Sequence, residues 1–305
     1  MWIKVILKGL LTSLIIFIPS ILHAQSCDRA CLEDIAEQYR LAYLQHNPSA
    51  VSISDNVRFT ENNVEMPFPD ASWDTVTEVV GPVQVLSDAK TGNVAMYMAL
   101  MQRDTESYLA VRLKVLGREI TEIEHMLSTK RNLSGPPTPI AEVAQNFHDP
   151  VIDEIIPFNE RISRERLAAH ADGYFSTLEL NDGEIRGTRF SPDATRRENG
   201  WLFSDIESGF KLGYYAFNNK VRREIVLIDE ERGVAMSRAF IDHKGVMDSY
   251  VLTDGTIKSN IYREPHSWAL LEMFKIKDDR IVAVIATFIG APYNMRTPWS
   301  ENLNP

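Results

Sequence analysis

The sequence predicts an α+β fold built as two tandem units, each an N-terminal helix followed by an antiparallel meander. Three observations carry this: a helix-periodic segment followed by β-rich runs without helical crossovers, a Pro-rich break near mid-chain, and a restart of the same pattern beyond it. In the first unit Leu32, Ile35, Ala36, Tyr39, Ala42 and Tyr43 lie on one helical face. After His46-Asn47-Pro48 come short β-rich runs: Val57–Thr60, Val83–Leu86, Val94–Met98, Tyr108–Val115 and Ile120–Ile123. The run Ser134-Gly135-Pro136-Pro137-Thr138-Pro139 fits no element interior and marks a linker. Leu167, Ala171, Tyr174 and Leu178 then outline a second helix, with strands again following to the C-terminus.

Composition bounds the class. With 44% hydrophobic and 24% charged residues in a chain of 305, an intrinsically disordered chain and a membrane-embedded body are both excluded, and the length suits two domains. Lys4 and Lys8 precede the apolar stretch Leu10–Leu22, and Leu22-His23-Ala24 ends on a small residue, the pattern of a cleaved secretory signal. The stretch is 13 residues long and broken by Pro19, whereas a spanning helix needs about 20. A membrane anchor and lipid attachment at Cys27 are the competing readings. The expected boundaries are therefore 1–24 for the signal, 25–130 for the first domain, 131–150 for the linker and 151–305 for the second domain, in a periplasmic or secreted protein with no membrane association after cleavage.

Loss of Lys4 and Lys8 takes the net charge from −10 to about −12. An acidic chain without a basic stripe argues against nucleic acid as a partner, because phosphate contacts need clustered Lys and Arg. The short Arg222-Arg223 cluster, near Asp229, Glu230 and Glu231, reads as a solvated strand-turn surface. In an oxidising compartment Cys27 and Cys31 form a local disulfide, expected at a capped helix entry; the spacing is not that of a Cys-x-x-Cys redox pair. No metal-ligand spacing, nucleophile elbow or phosphate loop occurs, so no metal and no cofactor is expected.

The two units are copies. Ala36–Tyr39 aligns with Ala171–Tyr174, Glu61-Asn62 with Glu198-Asn199, Val94–Met96 with Val234–Met236, Leu113–Val115 with Phe274–Ile276, and Ile120–Ile123 with Ile281–Val284. Between the third and fourth landmarks the second copy is longer by about 21 residues, which contain the hairpin-turn signature Thr253-Asp254-Gly255-Thr256.

Glu37-Gln38-Tyr39, His46-Asn47-Pro48 and the stretch Asp55–Glu61 make each copy resemble the nuclear-transport-factor-2-like fold, which includes SnoaL-like cyclases, ketosteroid isomerase and scytalone dehydratase. More narrowly, Cys27-Asp28-Arg29, Phe59-Thr60-Glu61-Asn62, Asp229–Gly233 and Pro292–Met295 resemble a secreted two-copy family of uncharacterised function. The resemblance implies two tandem cone-shaped domains, each an N-terminal helix packed on a curved antiparallel sheet around an apolar pocket. A carboxylate desolvated in such a pocket can act as a general base.

Carried over residue by residue, the resemblance to ketosteroid isomerase implies Glu61 and Glu198 as bases and Tyr39 and Tyr174 as oxyanion donors. The second donor of that family, an acid, falls near Ala110 and Leu270, neither of which can donate. Scytalone-dehydratase-like sites suggest Asp242, His243 and His266 as a set, with His125 a further acid-base candidate. Asn199 is a polar orienter, and Arg238 and Arg263, alternating with apolar neighbours, are candidates to clamp a carboxylate ligand. Phe210, Tyr214 and Phe217 suggest a short lid or packing helix over the second pocket.

Each residue also has a structural role available: Glu61-Asn62 and Glu198-Asn199 as turn starts, the tyrosines as core, the arginines as outward ion pairs. Two functions follow. One is a cofactor-independent isomerase, dehydratase or lyase acting on a small, partly apolar molecule. The other is a non-catalytic binding or assembly module, which homo-oligomerisation would suit. The catalytic reading requires a cavity of roughly 300 Å³ beside Tyr174.

Overall fold

The computed structural model describes residues 27–130, 140–143 and 148–305; the expected leader and the Ser134–Pro139 run lie outside the described residues. Asp28 caps helix α1 (Arg29–Leu44) by accepting from the Cys31 N–H, and the Cys27–Cys31 disulfide closes across this cap at the helix entry. The buried face of α1 is Leu32, Ile35, Ala36, Tyr39, Ala42 and Tyr43, the stripe that the periodicity predicts.

Six strands follow: β1 (Ile53–Glu61), β2 (Val64–Met66), β3 (Val76–Asp88), β4 (Asn93–Gln102), β5 (Thr105–Leu116) and β6 (Glu119–Thr129). Their order in the sheet is β2-β1-β6-β5-β4-β3. Strands β3 to β6 form the expected antiparallel meander. The departure is β1, which lies parallel to β6; with the whole meander as their connection, the pair is not bound to the antiparallel geometry of a tight hairpin.

The second half begins with the short helix α2 (Pro150–Asp153) and then α3 (Arg164–Glu179), capped by Ser163. Gly173 lets α3 approach the 186–188 loop closely, since a Cβ there would meet the Arg186 carbonyl oxygen at 2.5 Å. Next come β7 (Phe190–Glu198), β8 (Trp201–Ser204), helix α4 (Ile206–Leu212), β9 (Lys220–Asp229), β10 (Val234–His243), β11 (Ser249–Val251), β12 (Ile257–Ser259), β13 (His266–Lys277) and β14 (Arg280–Pro292). The sheet order β8-β7-β14-β13-β10-β9 repeats that of the first half, and the extra hairpin β11–β12 turns through Thr253–Thr256. The fold is thus α+β, with two curved sheets each carrying its own long helix.

Side chains alternate along the central strands β4, β5, β10, β13 and β14, and both of their faces are buried. One face of each sheet covers its helix: Met96, Met98, Val111 and Ile123 in the first half, Ala235, Ala239, Leu270, Phe274 and Val284 in the second. The opposite faces pack back to back, joining Ala95, Tyr97, Ala110 and Met126 to Leu227, Met236, Phe240, Leu271, Met273 and Ile285.

Polar pairs lock this contact with approximate two-fold reciprocity. Arg29, at the start of α1, binds Asp229 of β9 at 3.0 Å, and Arg164, at the start of α3, binds Asp88 of β3 at 3.1 Å. The same carboxylates accept from the Ser87 and Ile228 N–H groups across the seam. Deeper in, Glu124 lies between Arg112, at 2.7 Å, and Arg238 of the other sheet. The C-terminal tail crosses to the first sheet, where Trp299 stacks on Arg58 and Arg112 and donates to the Thr60 hydroxyl. Arg222, expected in solvent, is buried on this side: Asp242 binds it at 2.8 Å, and the Met295 and Leu303 carbonyls accept from it. Its alternation places it on the packed face of β9, which the local run of acids does not reveal.

The two guanidiniums around Glu124 hold its carboxyl down at about 2 against its burial, well under the ordinary value of 4.5. A depressed carboxyl stabilises the fold fully above the ordinary value, and that contribution is lost as pH falls from there toward 2. Denaturant melts should show this acid loss in wild type. Glu124→Gln, which leaves two buried cations facing a neutral amide, should lower stability at neutral pH by about 3–5 kcal/mol.

Candidate functional site

The cone of the second half contains a cavity of about 330 Å³ between α3 and the curved sheet. Its position follows from strand alternation: Trp268, Leu270 and Glu272 project inward from β13, Ile241 and His243 from β10, Ala286 and Phe288 from β14, and Arg196 and Glu198 from β7. Tyr174 and Leu178 close it from α3, and Phe203, Tyr215, Phe217 and Tyr262 wall the remaining sides. The lining is mainly aromatic and aliphatic, with one dense polar cluster.

That cluster is Arg196, Glu198, Tyr174 and Glu272. The Arg196 guanidinium lies 3.0 Å from Glu198, donates to the Tyr174 hydroxyl at 3.2 Å and to the Tyr215 hydroxyl at 2.7 Å, and stacks over Phe203 and Tyr215. The Tyr174 hydroxyl faces Glu272 and partly offsets the effect of burial on its carboxyl. Glu272 is 3% exposed. Burial, with the negative charge of Glu198 nearby, pushes its carboxyl up to about 8, so it is a neutral acid at pH 7 and a hydrogen-bond donor. Burial likewise raises the Tyr174 hydroxyl well above its usual value, so it too keeps its proton. Two neutral donors and a separate carboxylate thus converge on one end of an apolar cavity. That arrangement can stabilise a developing oxyanion while a carboxylate takes a proton.

The resemblance puts the second donor near Leu270, which cannot donate; the acid is Glu272, two residues on and on the same face. The available signal was the alternation Trp268, Leu270, Glu272, Phe274, in which one acid interrupts an apolar face. Tyr174 and Glu198 line the same cavity. Asn199 turns elsewhere: in a left-handed turn at φ 46°, its side chain exchanges hydrogen bonds with the Phe288 backbone and its N–H bonds the Ala286 carbonyl. Asn62 holds Leu127 in the same way.

Asp242 is separated from His243 by strand alternation and binds Arg222 and Ser267 on the packed face. His266 is buried behind His243, its ring stacked at 4.4 Å on that of His243, with its Nδ1–H donating to the Glu264 carbonyl. Arg238 joins Glu124 and Glu224 at the seam, and Arg263 pairs with Asp248 at the surface, so neither reaches the cavity. Of the expected lid residues, Phe210 is core on α4, Tyr214 is partly exposed beyond it, and Phe217 lines the cavity.

The first cone is occupied. Trp73, from the turn between β2 and β3, is 1% exposed and packs edge-on against Tyr39, Tyr43 and Phe68. His125 fills the place that Ala286 leaves open in the second copy; the Tyr39 hydroxyl meets its Nε2 at 2.8 Å, and Glu61 meets its Nδ1 at 3.4 Å. Glu61 also accepts from the Ser72 hydroxyl and edges a separate recess shared with Pro292 and Met295. Glu61, Tyr39 and His125 therefore form one connected chain packed among side chains.

The family described as "Domain of unknown function (DUF8021)" matches residues 160–288, the span that holds every residue lining the cavity. No curated protein matches the chain. Among solved structures, the chain is similar to AusH from Aspergillus nidulans, at 13% identity over 42% of this chain and 86% of that one, with a TM-score of 0.30. It is similar to an M. tuberculosis LEH-like epoxide hydrolase at 10% identity, over 41% and 84%, with a TM-score of 0.29. For PrhC from Penicillium brasilianum the figures are 14%, 41% and 82%, with a TM-score of 0.30. Among the described residues no helix is long and apolar enough to cross a membrane.

Between the ordinary carboxylate value of 4.5 and about 8, the folded protein keeps a proton on Glu272 that the unfolded chain releases. The native state binds more protons there, so this group makes stability fall as pH rises through that interval. Glu272→Gln should remove that slope, so that the variant gains on wild type by up to about 1.4 kcal/mol per pH unit. Paired melts from pH 5 to pH 8 measure it, and the infrared band of a protonated carboxyl at neutral pH should vanish in the variant.

Proposed function

We propose that the second copy is a cofactor-independent enzyme of the isomerase, dehydratase or lyase type, acting on a small, partly apolar carbonyl compound, and that the first copy is its structural partner. The observation that carries this reading is the neutral Glu272 beside Tyr174, 3% exposed at the polar end of an apolar cavity whose other carboxylate is Glu198. In this mechanism the substrate carbonyl oxygen accepts hydrogen bonds from Tyr174 and Glu272. Glu198 removes a proton from the adjacent carbon, and the electron pair moves onto the oxygen as an enolate held by the two donors. Return of the proton to another carbon gives isomerisation; loss of a β-hydroxyl as water gives dehydration. Arg196 fixes Glu198 and Tyr174 relative to one another.

Deuterium exchange into 2-tetralone in heavy water, followed by NMR, tests the proton abstraction. Wild type should accelerate exchange, Glu198→Gln should lose about 10²–10⁴ of that rate, and Tyr174→Phe a smaller share. Exchange unchanged in folded Glu198→Gln would overturn the role of Glu198. The Arg196–Glu198 ion pair favours a second reading, ligand binding without turnover; retained binding of 2-tetralone with no exchange would establish it.

The leader pattern and the Cys27–Cys31 disulfide support export to a periplasmic or extracellular compartment. Mass spectrometry of the protein from its producing cells should find a new N-terminus at Gln25; retention of residues 1–24 would count against export by cleavage.

A further inference from the structure

The cavity has a second polar group far from its acids. Along β13 the inward side chains run His266, Trp268, Leu270, Glu272, and six residues of strand span about 20 Å. His243 is the register partner of His266 and lines the cavity at that far end. Its ring is stacked between His266 at 4.4 Å and Phe217 at 5.6 Å, with Tyr262 at 5.1 Å. His243 is 2% exposed, and no side chain hydrogen-bonds its ring, whose Nδ1 is buried beside the Ile241 backbone. Buried polar atoms are seldom left so, because they lose water without replacement. Core packing alone would be served by a third apolar ring. The hairpin β11–β12, present only in this copy, reinforces this end: Tyr250 packs on Phe217 and donates to the Tyr214 carbonyl.

We propose that His243 is a ligand-binding residue that anchors a hydroxyl at the end of the cavity opposite Glu272. The ligand is then an elongated, rigid, mostly apolar molecule with an oxygen at each end, one facing Tyr174 and Glu272 and the other facing His243. The aromatic walls between them, Phe217, Tyr262, Trp268 and Phe288, suit a fused or linked ring body. This deepens the proposed function and rests on the same cavity being the ligand site.

The test compares 4,4″-dihydroxy-p-terphenyl with 4-hydroxy-p-terphenyl, rigid three-ring phenols that differ only in the distal hydroxyl, by calorimetric titration. Wild type should bind the diol about tenfold more tightly, the value of one buried hydrogen bond. His243→Phe keeps the ring stack and should bring the two affinities together without weakening 4-hydroxy-p-terphenyl. Equal affinities in wild type, or binding of neither phenol, overturn the proposal whatever the variant does, as does a preference that survives His243→Phe. Failure of 2-tetralone exchange with the diol preference intact would sink the catalytic reading alone. Exchange present with no diol preference would sink only the His243 anchor.

Discussion

Two curved sheets that each have two apolar faces can bury the second face only against another sheet, and the back-to-back contact between the halves meets that need. Side-chain alternation then assigns the residues of the central strands to a cone or to the seam. Odd positions of β10 enter the cone and even positions, Arg238, Phe240 and Asp242, face the seam. Charges buried at the seam must be paired, which is why Glu124, Arg112, Arg238, Arg222 and Asp242 form closed sets. The reciprocal Arg29–Asp229 and Arg164–Asp88 pairs tie each helix start to the last residue of the other half's strand. A copy isolated from its partner would expose this face entirely.

With the seam occupied, each cone keeps its own interior, and the two copies diverge there. In the first, Trp73 and His125 fill the space, and Tyr39, His125 and Glu61 satisfy one another. In the second, Ala286 stands in place of His125, and α4 with its following aromatics replaces the Trp73 turn, leaving a cavity of about 330 Å³. Enclosure then sets the chemistry: an acid with Glu198 close by and little solvent keeps its proton, so the same residue type is a buried donor at Glu272 and the ion-pair partner of Arg196 at Glu198.

Much of this was legible in the chain. The helix stripes from Leu32 to Tyr43 and from Leu167 to Leu178 fall where their spacing puts them, and aligned landmarks such as Glu61-Asn62 and Glu198-Asn199 occupy the same turn in each sheet. Tyr174 and Glu198 were legible because a helix position and a strand end are local features. Glu272 was harder to see, since an acid inside an apolar strand reads equally as an error of register or as a site. Asp242 and Arg238 misled because they alternate with apolar residues as pocket residues do, on a sheet whose reverse face is just as buried.

The sequence by itself determined the duplication, the helix-then-meander plan, the added hairpin in the second copy and the short disulfide loop, because each depends on spacing along the chain. Only the tertiary structure decided which face of each strand is seam and which is cone, since alternation defines two faces without saying what covers either. It alone decided that one cone is full and the other open, and that Glu272 holds its proton there. Volume and dielectric belong to the enclosure that distant residues build together, and no local pattern records them.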